Sequence, residues 1–313
     1  MKTNASVDLS VVIPVYNEES NISELYRQLS RTLNPSGYSF ELIFVDDGST
    51  DGSADILIRL QRDNPGIIRL LRFSRNFGHQ IAIIAGLKYA RGKAAVVTDA
   101  DLQDPPEVIL QFLSRWKDGY EIVYGVRSRR EGETFFKRFT AELFYRIFKK
   151  LTNIDIPANV GDFYLLDRKA MDAFNAISER HRFNRGLVAW LGFKKWGEPY
   201  ERKARHAGTS KYSLWKMVKL AMDAIVAFSF APLRFVFFSG AILAGVSFIV
   251  IIVIVYLEFF THAAVQGWSS LMAVILFIGG VQLLAVGIIG EYLARIGDDT
   301  KSRPLYIVKE FLE

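Results

Sequence analysis

Short apolar runs alternate with amphipathic segments along the first half of the chain. Residues 9–15 (LSVVIPV) and 40–45 (FELIFV) are short and rich in β-branched or aromatic side chains, which is typical of buried strands. Between them, residues 19–33 place four apolar residues at helical spacing, namely Ile22, Leu25, Leu29 and Leu33. The same alternation predicts strands at 67–73, 94–98 and 122–126, and helices at 54–60, 80–90 and 108–116. It indicates an α/β fold with a mostly parallel, doubly wound sheet.

The last third of the chain has a different pattern, with two long apolar segments. Residues 233–259 and 271–289 are each long enough to cross a hydrocarbon core of about 30 Å, which takes roughly 20 helical residues. Residues 214–230 are amphipathic and predict a helix lying in the membrane interface. The connection 261–270 contains no Lys or Arg, whereas the outer flanks carry Arg234, Arg295, Lys301, Arg303 and Lys309. By the positive-inside rule, both ends of the pair face the cytoplasm.

These patterns predict a chain of four parts in the inner (plasma) membrane. They are a cytoplasmic α/β domain (1–210), an interfacial amphipathic helix (211–231), two transmembrane helices within 232–292 (about 233–259 and 271–290) and a cytoplasmic tail (293–313). In the tail, residues 305–308 are either a short strand or a surface segment. Small residues in the spans allow close helix packing and a homo-oligomer: Gly240, Ala244, Gly279, Gly280, Gly287 and Gly290.

Composition adds few constraints to this picture. The 313 residues carry a formal charge of +6, half of them are apolar, and there is no cysteine, so a disulfide framework is excluded. The polar N-terminus is followed by an apolar run too short for a signal-peptide core, so no secretion signal is expected. We expect a membrane and small-molecule substrates as partners, and no nucleic acid.

Three polar loops follow predicted strands at the same edge of the sheet, where open α/β proteins bind ligands. They are residues 16–18, 46–52 and 99–103. In an extended chain Asp99, Asp101 and Gln103 would lie on one side, and their oxygens suit a hard divalent cation and, through it, a diphosphate. The alternative is a helix start, with Asp104 as N-cap, Pro105 at N1 and Glu107 at N3, which leaves Asp99 and Asp101 without a reason.

The segments IPVYNEE, FVDDGSTDGS, LLRFSRNFGHQ and DADLQDPPE occur in that order in the first half of the chain. Together they resemble the family 2 glycosyltransferases of the GT-A fold. The resemblance is strongest to the polyprenyl-phosphate glycosyltransferases related to dolichol-phosphate-mannose synthase and to bacterial undecaprenyl-phosphate glucosyltransferases. It covers about two-thirds of the chain, and the apolar tail fits the subgroup with two C-terminal spans.

The resemblance implies roles for the loop residues. Pro14, Tyr16 and Glu18 would line the nucleotide-sugar site together with Asp99, while Asp46 and Asp47 would contact base or ribose. Asp99, Asp101 and Gln103 match the Asp-x-Asp-x-Gln that holds Mg²⁺ or Mn²⁺ and the diphosphate. A metal is needed because carboxylates alone would repel a diphosphate. The alternatives are a solvent-exposed turn at 47–52 and ordinary packing for Tyr16.

Cationic residues further along the chain suit an anionic acceptor. Arg127 and Arg130 can pair with phosphate oxygens. Residues 134–151 form a basic, aromatic amphipathic pattern that indicates a helix at a membrane surface or one packed on the core. The segment 201–212 resembles the family's Arg-x-x-Gly-x-Ser-Lys-Tyr, which implies that Arg205, Ser210 and Lys211 close over phosphates. The alternative is a basic juxtamembrane segment attracted to anionic lipids.

Asp162 stands where this family has its acceptor-side carboxylate. A sugar hydroxyl acceptor needs a general base, but a phosphate monoester is already anionic near neutral pH. Asp162 would therefore orient the acceptor or take a residual proton, unless it only caps a strand end. The family's polymer synthases carry Gln-x-x-Arg-Trp, whereas residues 183–186 here read FNRG, which argues against a processive enzyme. We assign no catalytic role to His79 or His206.

The resemblance implies inverting transfer of one sugar, glucose from UDP-glucose, to a polyprenyl (undecaprenyl) phosphate, giving a β-linked product. Asp101, Asp162 and Arg127 would be the catalytic residues. The alternatives are GDP-mannose or UDP-aminoarabinose as donor and, in another class, a non-catalytic membrane subunit that senses nucleotide sugars.

Overall fold

The structure is a computed structural model that describes residues 7–128, 159–180, 182–202, 229–261 and 267–313. These residues divide into two units. The first contains the described residues up to 202 together with residues 303–313, and the second contains those between 229 and 302. The predicted basic helix at 134–151 and nearly all of the predicted interfacial helix at 211–231 lie outside the described residues.

The first unit is built on one mixed sheet. Its strands are β1 Leu9–Val15, β2 Phe40–Asp46, β3 Ile68–Phe73, β4 Ala94–Val97, β5 Ile122–Arg127, β6 Val160–Asp167, β7 Lys195–Tyr200 and β8 Val308–Leu312. Their spatial order is β7-β5-β6-β4-β1-β2-β3-β8. The pairings β1/β2, β1/β4, β2/β3 and β5/β7 are parallel, while β4/β6, β5/β6 and β3/β8 are antiparallel. The predicted α/β class and mostly parallel sheet are confirmed.

Helices cover this sheet. They are α1 Ile22–Leu33, α2 Ser53–Asp63, α3 His79–Tyr89, α4 Glu107–Lys117, α5 Arg168–Ala176 and α6 Asn184–Trp190. The four apolar residues that predicted α1 are the four it buries, and every residue of β1 is buried. Helix α4 begins at Glu107 with Pro106 as its N-cap, so the alternative in which Asp104 caps it is wrong.

The last described residues return to the sheet as an edge strand. Strand β8 pairs antiparallel with β3, and the ring of Tyr306 stacks on that of Phe73 with centroids 5.0 Å apart. The buried guanidinium of Arg69 bridges Glu41 (3.1 Å) and Glu313 (2.7 Å). The tail therefore contains a strand, but at residues 308–312; of residues 305–308, for which a strand or a surface segment was expected, only Val308 belongs to it.

The second unit contains two long helices, α7 Ala231–Thr261 and α8 Trp268–Thr300. By length and composition, each includes a segment that could cross a membrane, Ala231–Val250 in α7 and Phe277–Thr300 in α8. Neither segment is buried within the described part of the chain, and large apolar side chains such as Phe235 and Leu283 are mostly exposed. Apolar surface on this scale needs a nonaqueous or protein environment. The two predicted long helices are confirmed, and they suggest association with a membrane.

Candidate active site

The register of the sheet brings the candidate residues to one edge. Strands β1, β2 and β4 are parallel, so the loops that follow them lie at a common edge. Strand β6 runs antiparallel to β4 and β5, which places its first residues, and the ends of β5 and β7, at that edge as well. The residues gathered there are Tyr16, Asp46, Asp99, Arg127 and Asp162. The predicted meeting of the three polar loops at one edge is confirmed.

An acidic cluster formed by Asp99, Asp101 and Asp104 follows β4. The guanidinium of Arg202 lies among the three carboxylates: its Nη2 is 4.0 Å from Asp99 Oδ2 and 3.8 Å from Asp101 Oδ2, and its Nε is 3.5 Å from Asp104 Oδ1. The hydroxyl of Tyr200 donates a hydrogen bond of 2.5 Å to Asp104 Oδ1. Asp104, which the sequence analysis named only as a possible helix cap, therefore belongs to the cluster, and Arg202 is a cation that the sequence reasoning missed.

Burial and mutual repulsion disfavour the charged forms of Asp99 and Asp104. Burial, opposed by the His79 imidazole and reinforced by the neighbouring carboxylates, raises the pKa of Asp99 to about 6. Burial also raises the pKa of Asp104, although Arg202 and the Tyr200 hydroxyl oppose the change. A cluster of this kind is stabilised by any cation placed between its members.

The chemistry of the cluster fits a divalent metal. Within the described residues, no three His, Asp or Glu side chains form a ready-made metal cage. However, Asp99 Oδ1 and Asp104 Oδ2 are buried and have no hydrogen-bond partner there, and carboxylate oxygens are the ligands of hard cations. An open set of this type would need substrate oxygens to complete the coordination.

The chain reaches this arrangement through a turn. Leu102 has φ of 62°, so residues 99–103 are not the extended segment from which we expected convergence. Asp99 and Asp101 nevertheless both approach the same nitrogen of Arg202. The backbone N–H of Gln103 donates to Asp101 Oδ1 at 3.2 Å, which fixes the rotamer of that aspartate. Coordination by the Gln103 side chain stays a prediction.

Asp162, at the start of β6, is held by donors on three sides. Arg185 Nε donates to its Oδ1 at 3.0 Å, and Gln80 Nε2 donates to its Oδ2 at 3.0 Å. His79 Nε2 lies 3.4 Å from the same Oδ2. Burial opposes the charge, but Arg185 and His79 outweigh it and hold the pKa of Asp162 well below its usual range. A carboxylate held in this way remains charged and is a weak base.

His79 joins the two acidic groups of the site. Its Nε2 is 3.5 Å from Asp99 Oδ1 and 3.4 Å from Asp162 Oδ2. Burial disfavours the imidazolium, yet the two carboxylates raise the pKa of His79 to about 9. Sequence reasoning assigned His79 no role, and it also missed Gln80 and Arg185. All three stand in segments already quoted, RNFGHQ and FNRG, but the pattern alone does not show that they meet Asp162.

The carboxylates of the loop after β2 bond to backbone groups. Asp46 Oδ1 accepts from the Ser49 N–H at 2.9 Å, and the two oxygens of Asp47 accept from the N–H groups of Phe77 (2.7 Å) and Gly78 (2.9 Å). Both aspartates are only 2% exposed, which is unlike a solvent-exposed turn, and burial raises the pKa of Asp47. Their contact with base or ribose stays a prediction.

Gly48 is required by the shape of this loop. Its φ is +69°, and a Cβ at this position would lie 2.5 Å from the carbonyl carbon of Arg75. No other residue type fits both conditions. The glycine of the VDDGS segment therefore allows the loop after β2 to pack directly on the segment after β3.

The three residues predicted to line the nucleotide site after β1 differ in exposure. Pro14 is buried within β1, whereas Tyr16 is 39% exposed at the edge of the sheet. The Glu18 carboxylate accepts a hydrogen bond of 2.7 Å from the Asn21 side chain. Exposure of a large aromatic ring at a ligand-binding edge suits stacking on a base, which for Tyr16 stays a prediction.

Arg127, at the end of β5, lies against the start of β6. Its Nε is 3.4 Å from the Tyr200 hydroxyl, and its guanidinium approaches Gly161 so closely that a Cβ there would collide with it. Gly161 therefore makes room for this arginine beside Asp162. The other predicted phosphate ligands, Arg130, Arg205, Ser210 and Lys211, lie outside the described residues.

An α/β sheet with an acidic turn after β4, an acidic glycine loop after β2 and an arginine across the same edge defines a GT-A type nucleotide-sugar transferase. The chain matches the family model "Glycosyl transferase family 2" over residues 10–174 and belongs to this family. Activity as a glycosyltransferase follows from that membership.

Curated relatives extend the match to nearly the whole chain. It is 49% identical over 304 residues to the uncharacterized glycosyltransferase YkcC of Bacillus subtilis, covering 97% of this chain and 94% of that one. It is 38% identical over 301 residues to the prophage bactoprenol glucosyl transferase homolog of Escherichia coli, covering 96% and 98%. A similar identity of 38% links it to the bactoprenol glucosyl transferase of Shigella phage SfII.

A solved structure supports the fold. Mannosyl-3-phosphoglycerate synthase from Rubrobacter xylanophilus superposes with a TM-score of 0.52 at 16% identity, covering 70% of this chain and 72% of that one. The GT-A type predicted from the motifs is thereby confirmed.

Proposed function

We propose that the protein transfers a single glucose from UDP-glucose to a polyprenyl phosphate at the membrane surface. One observation carries this proposal: the acidic cluster around Arg202, the clamped carboxylate of Asp162 and the guanidinium of Arg127 share one sheet edge in a chain with two long apolar helices. The relatives named bactoprenol glucosyl transferase match over nearly all of the chain, which supports glucose and a prenyl carrier.

The donor side is the acidic cluster. Asp99 and Asp101, with Gln103, would hold Mg²⁺ or Mn²⁺, which neutralises charge on the departing diphosphate when it is bound. The loops after β1 and β2 would receive the nucleoside, with Pro14, Tyr16 and Glu18 as lining residues. The Asp46 carboxylate holds the loop after β2 through the Ser49 N–H, and the Asp47 carboxylate ties that loop to the segment after β3.

The acceptor side is formed by Asp162 and its cations. A phosphate monoester carries at least one negative charge at neutral pH, so it can attack the anomeric carbon without a general base. The low pKa of Asp162 suits this chemistry, because a charged, clamped carboxylate orients its arginine neighbours and does not accept a proton. Arg127 would bind the phosphate oxygens and be assisted by Arg130, Arg205, Ser210 and Lys211.

Direct displacement by the lipid phosphate inverts the anomeric centre. An α-linked donor then gives a β-linked product in one step. Orientation dominates such a reaction, since holding two reactants in line removes most of its entropic barrier. A site held at the membrane surface meets the lipid headgroup in two dimensions instead of three, which explains the combination of a transferase domain with apolar helices.

The order of the elements along the chain supports a membrane topology in which both ends of the helix pair lie on the same side. The chain leaves the α/β unit before α7 and returns to it as β8 after α8. If both helices cross the bilayer, both flanks lie on one side, and the Lys and Arg residues of those flanks place this side in the cytoplasm. The small residues of α7 and α8, such as Gly240 and Gly279, are proposed to pack in a homo-oligomer.

The donor is tested by incubating the purified full-length protein in detergent with undecaprenyl phosphate and labelled nucleotide sugars. We expect label from UDP-glucose in the lipid fraction, little from GDP-mannose or UDP-aminoarabinose, and none with Asp101→Asn. Label from GDP-mannose alone would replace the donor assignment. Failure of every donor to label lipid would instead favour a non-catalytic nucleotide-sugar-sensing subunit.

A further inference from the structure

Arg202 occupies the centre of the acidic cluster. It follows β7 directly, and its guanidinium lies 3.5 to 4.0 Å from oxygens of Asp99, Asp101 and Asp104. Three carboxylates that share one partly buried site repel each other, and the guanidinium supplies the positive charge that offsets this repulsion. Its position between the carboxylates is the one that a cation bridging them to a diphosphate would take.

The guanidinium is held mainly by charge. Arginine normally binds carboxylates through paired N–H···O bonds of about 2.7 to 2.9 Å, and all three separations here are longer. The buried Nε of Arg202 has no hydrogen-bond partner among the described residues, and neither do Asp99 Oδ1 and Asp104 Oδ2. Asp104 is only 2% exposed, so its free oxygen is aimed into the cluster and not at solvent. The guanidinium therefore has a donor, and the carboxylates have acceptors, that form no hydrogen bond within the described residues.

We propose that Arg202 is a resident counter-ion that fills the metal position until the donor and its metal arrive, and that it leaves the cluster when the metal binds. This inference rests on the proposed function. A divalent cation and a guanidinium cannot share the space between Asp99 and Asp101, because two positive charges at this separation repel strongly. Arg202 thus lowers the affinity of the empty enzyme for free metal and favours metal that arrives with its diphosphate.

The first test measures Mn²⁺ binding to the full-length protein in detergent, without donor, by electron paramagnetic resonance. Arg202→Gln should lower the Mn²⁺ dissociation constant about tenfold or more, because it removes the competing charge. Arg202→Lys, which keeps the charge, should stay near the wild-type value. Arg115→Gln is the matched control, since it removes one positive charge from a pair with Glu198 outside the cluster.

Equal Mn²⁺ affinities for the wild-type protein and Arg202→Gln would overturn the proposal, as would an equal gain in Arg115→Gln. The same titration with UDP-glucose present distinguishes the role of Arg202 from the proposed metal site itself. If all variants then bind Mn²⁺ alike but Arg202→Gln shows no gain without donor, the proposed function stands and the role of Arg202 falls. If no protein binds Mn²⁺ in either condition, the metal assignment fails as well.

A second test needs no variant. Phenylglyoxal labelling of the wild-type protein, read by peptide mass spectrometry, compares Arg202 with Arg185, whose side chains are 24% and 22% exposed. Saturating Mn²⁺ should raise the labelling of Arg202, because the guanidinium leaves the cluster, and should leave that of Arg185 unchanged. Unchanged labelling of Arg202, or an equal increase at both residues, would contradict the proposal.

Discussion

Replacing Arg185 by Gln removes the main partner of a buried carboxylate. Asp162 is 6% exposed, and Arg185 Nε donates to it at 3.0 Å. Breaking a buried ion pair by removing one partner costs about 3–5 kcal/mol, since the other charge is left uncompensated. Gln80 and His79 still contact Asp162, so we expect the loss to be smaller, about 2–3 kcal/mol.

The assay is thermal unfolding of the full-length protein in detergent, followed by tryptophan fluorescence. A loss of about 2–3 kcal/mol corresponds to a fall in Tm of roughly 4–12 °C for a domain of this size. The pKa of Asp162 also predicts how the stability difference between wild type and variant changes with pH. The lowered pKa of Asp162 contributes stability above the ordinary Asp value of about 4 and loses it below, so the gap between wild type and variant should shrink in acid.

Two controls make this prediction refutable. The double variant Arg185→Gln/Asp162→Asn removes both charges and should recover most of the stability. Arg115→Gln removes a 38% exposed arginine from its pair with Glu198, outside the site, and should lower Tm less than Arg185→Gln does. The reasoning fails if Arg185→Gln is no less stable than Arg115→Gln, or if the double variant unfolds at the same temperature as the single one.

Three further substitutions test the loops around the site. Gly48→Ala should destabilise the protein by at least about 2 kcal/mol, because its φ is +69° and a Cβ collides with neighbouring backbone, as denaturant unfolding would measure. Gly161→Ala should push Arg127 aside and raise the KM for polyprenyl phosphate about tenfold, or about 1.4 kcal/mol, while UDP-glucose binding measured by calorimetry stays constant. Glu310→Gln should weaken UDP binding a few-fold, because Glu310 holds Arg72 at 2.7 Å.

The last of these depends on a chain of charges. Arg72 lies between Glu310 and Asp46, with its Nε 3.5 Å from Asp46 Oδ2, so the tail strand reaches the proposed nucleotide loop through it. Glu313→Gln is the matched control on the same strand, since Glu313 pairs with Arg69 and not with Arg72. Equal UDP affinities for the Glu310 and Glu313 variants would show that this connection has no effect on binding.

An unchanged Tm for Gly48→Ala, or an unchanged acceptor KM for Gly161→Ala, would contradict the other two predictions.

The sequence predicted those features that depend on local pattern. The apolar spacing of α1 identified the four residues it buries, because one helical face must pack on the sheet. The meeting of the loops after β1, β2 and β4 followed from the geometry of parallel strands. Such inferences need only the period of the side chains and the direction of the strands.

Features set by distant contacts could not be predicted in this way. Arg69 and Glu313 are 244 positions apart, and no periodicity reveals that the tail pairs with β3. The clamp on Asp162 joins residues 79 and 80 of α3 to residue 185 of α6, two helices far apart in the sequence. The alternative in which Asp104 caps a helix was wrong for a related reason, since its carboxylate is bound by Tyr200, 96 residues away. Polar residues at turns have several local uses, and only the tertiary structure selects one.

The most direct test of the account is the product made by the purified protein from UDP-glucose labelled with ¹³C at the anomeric carbon and undecaprenyl phosphate. Nuclear magnetic resonance of the lipid fraction should show a β-linked glucosyl phosphate when Mg²⁺ or Mn²⁺ is present, and no product with a chelator or with Asp101→Asn. An α-linked product, or transfer at the full rate without a divalent metal, would contradict direct displacement assisted by the acidic cluster.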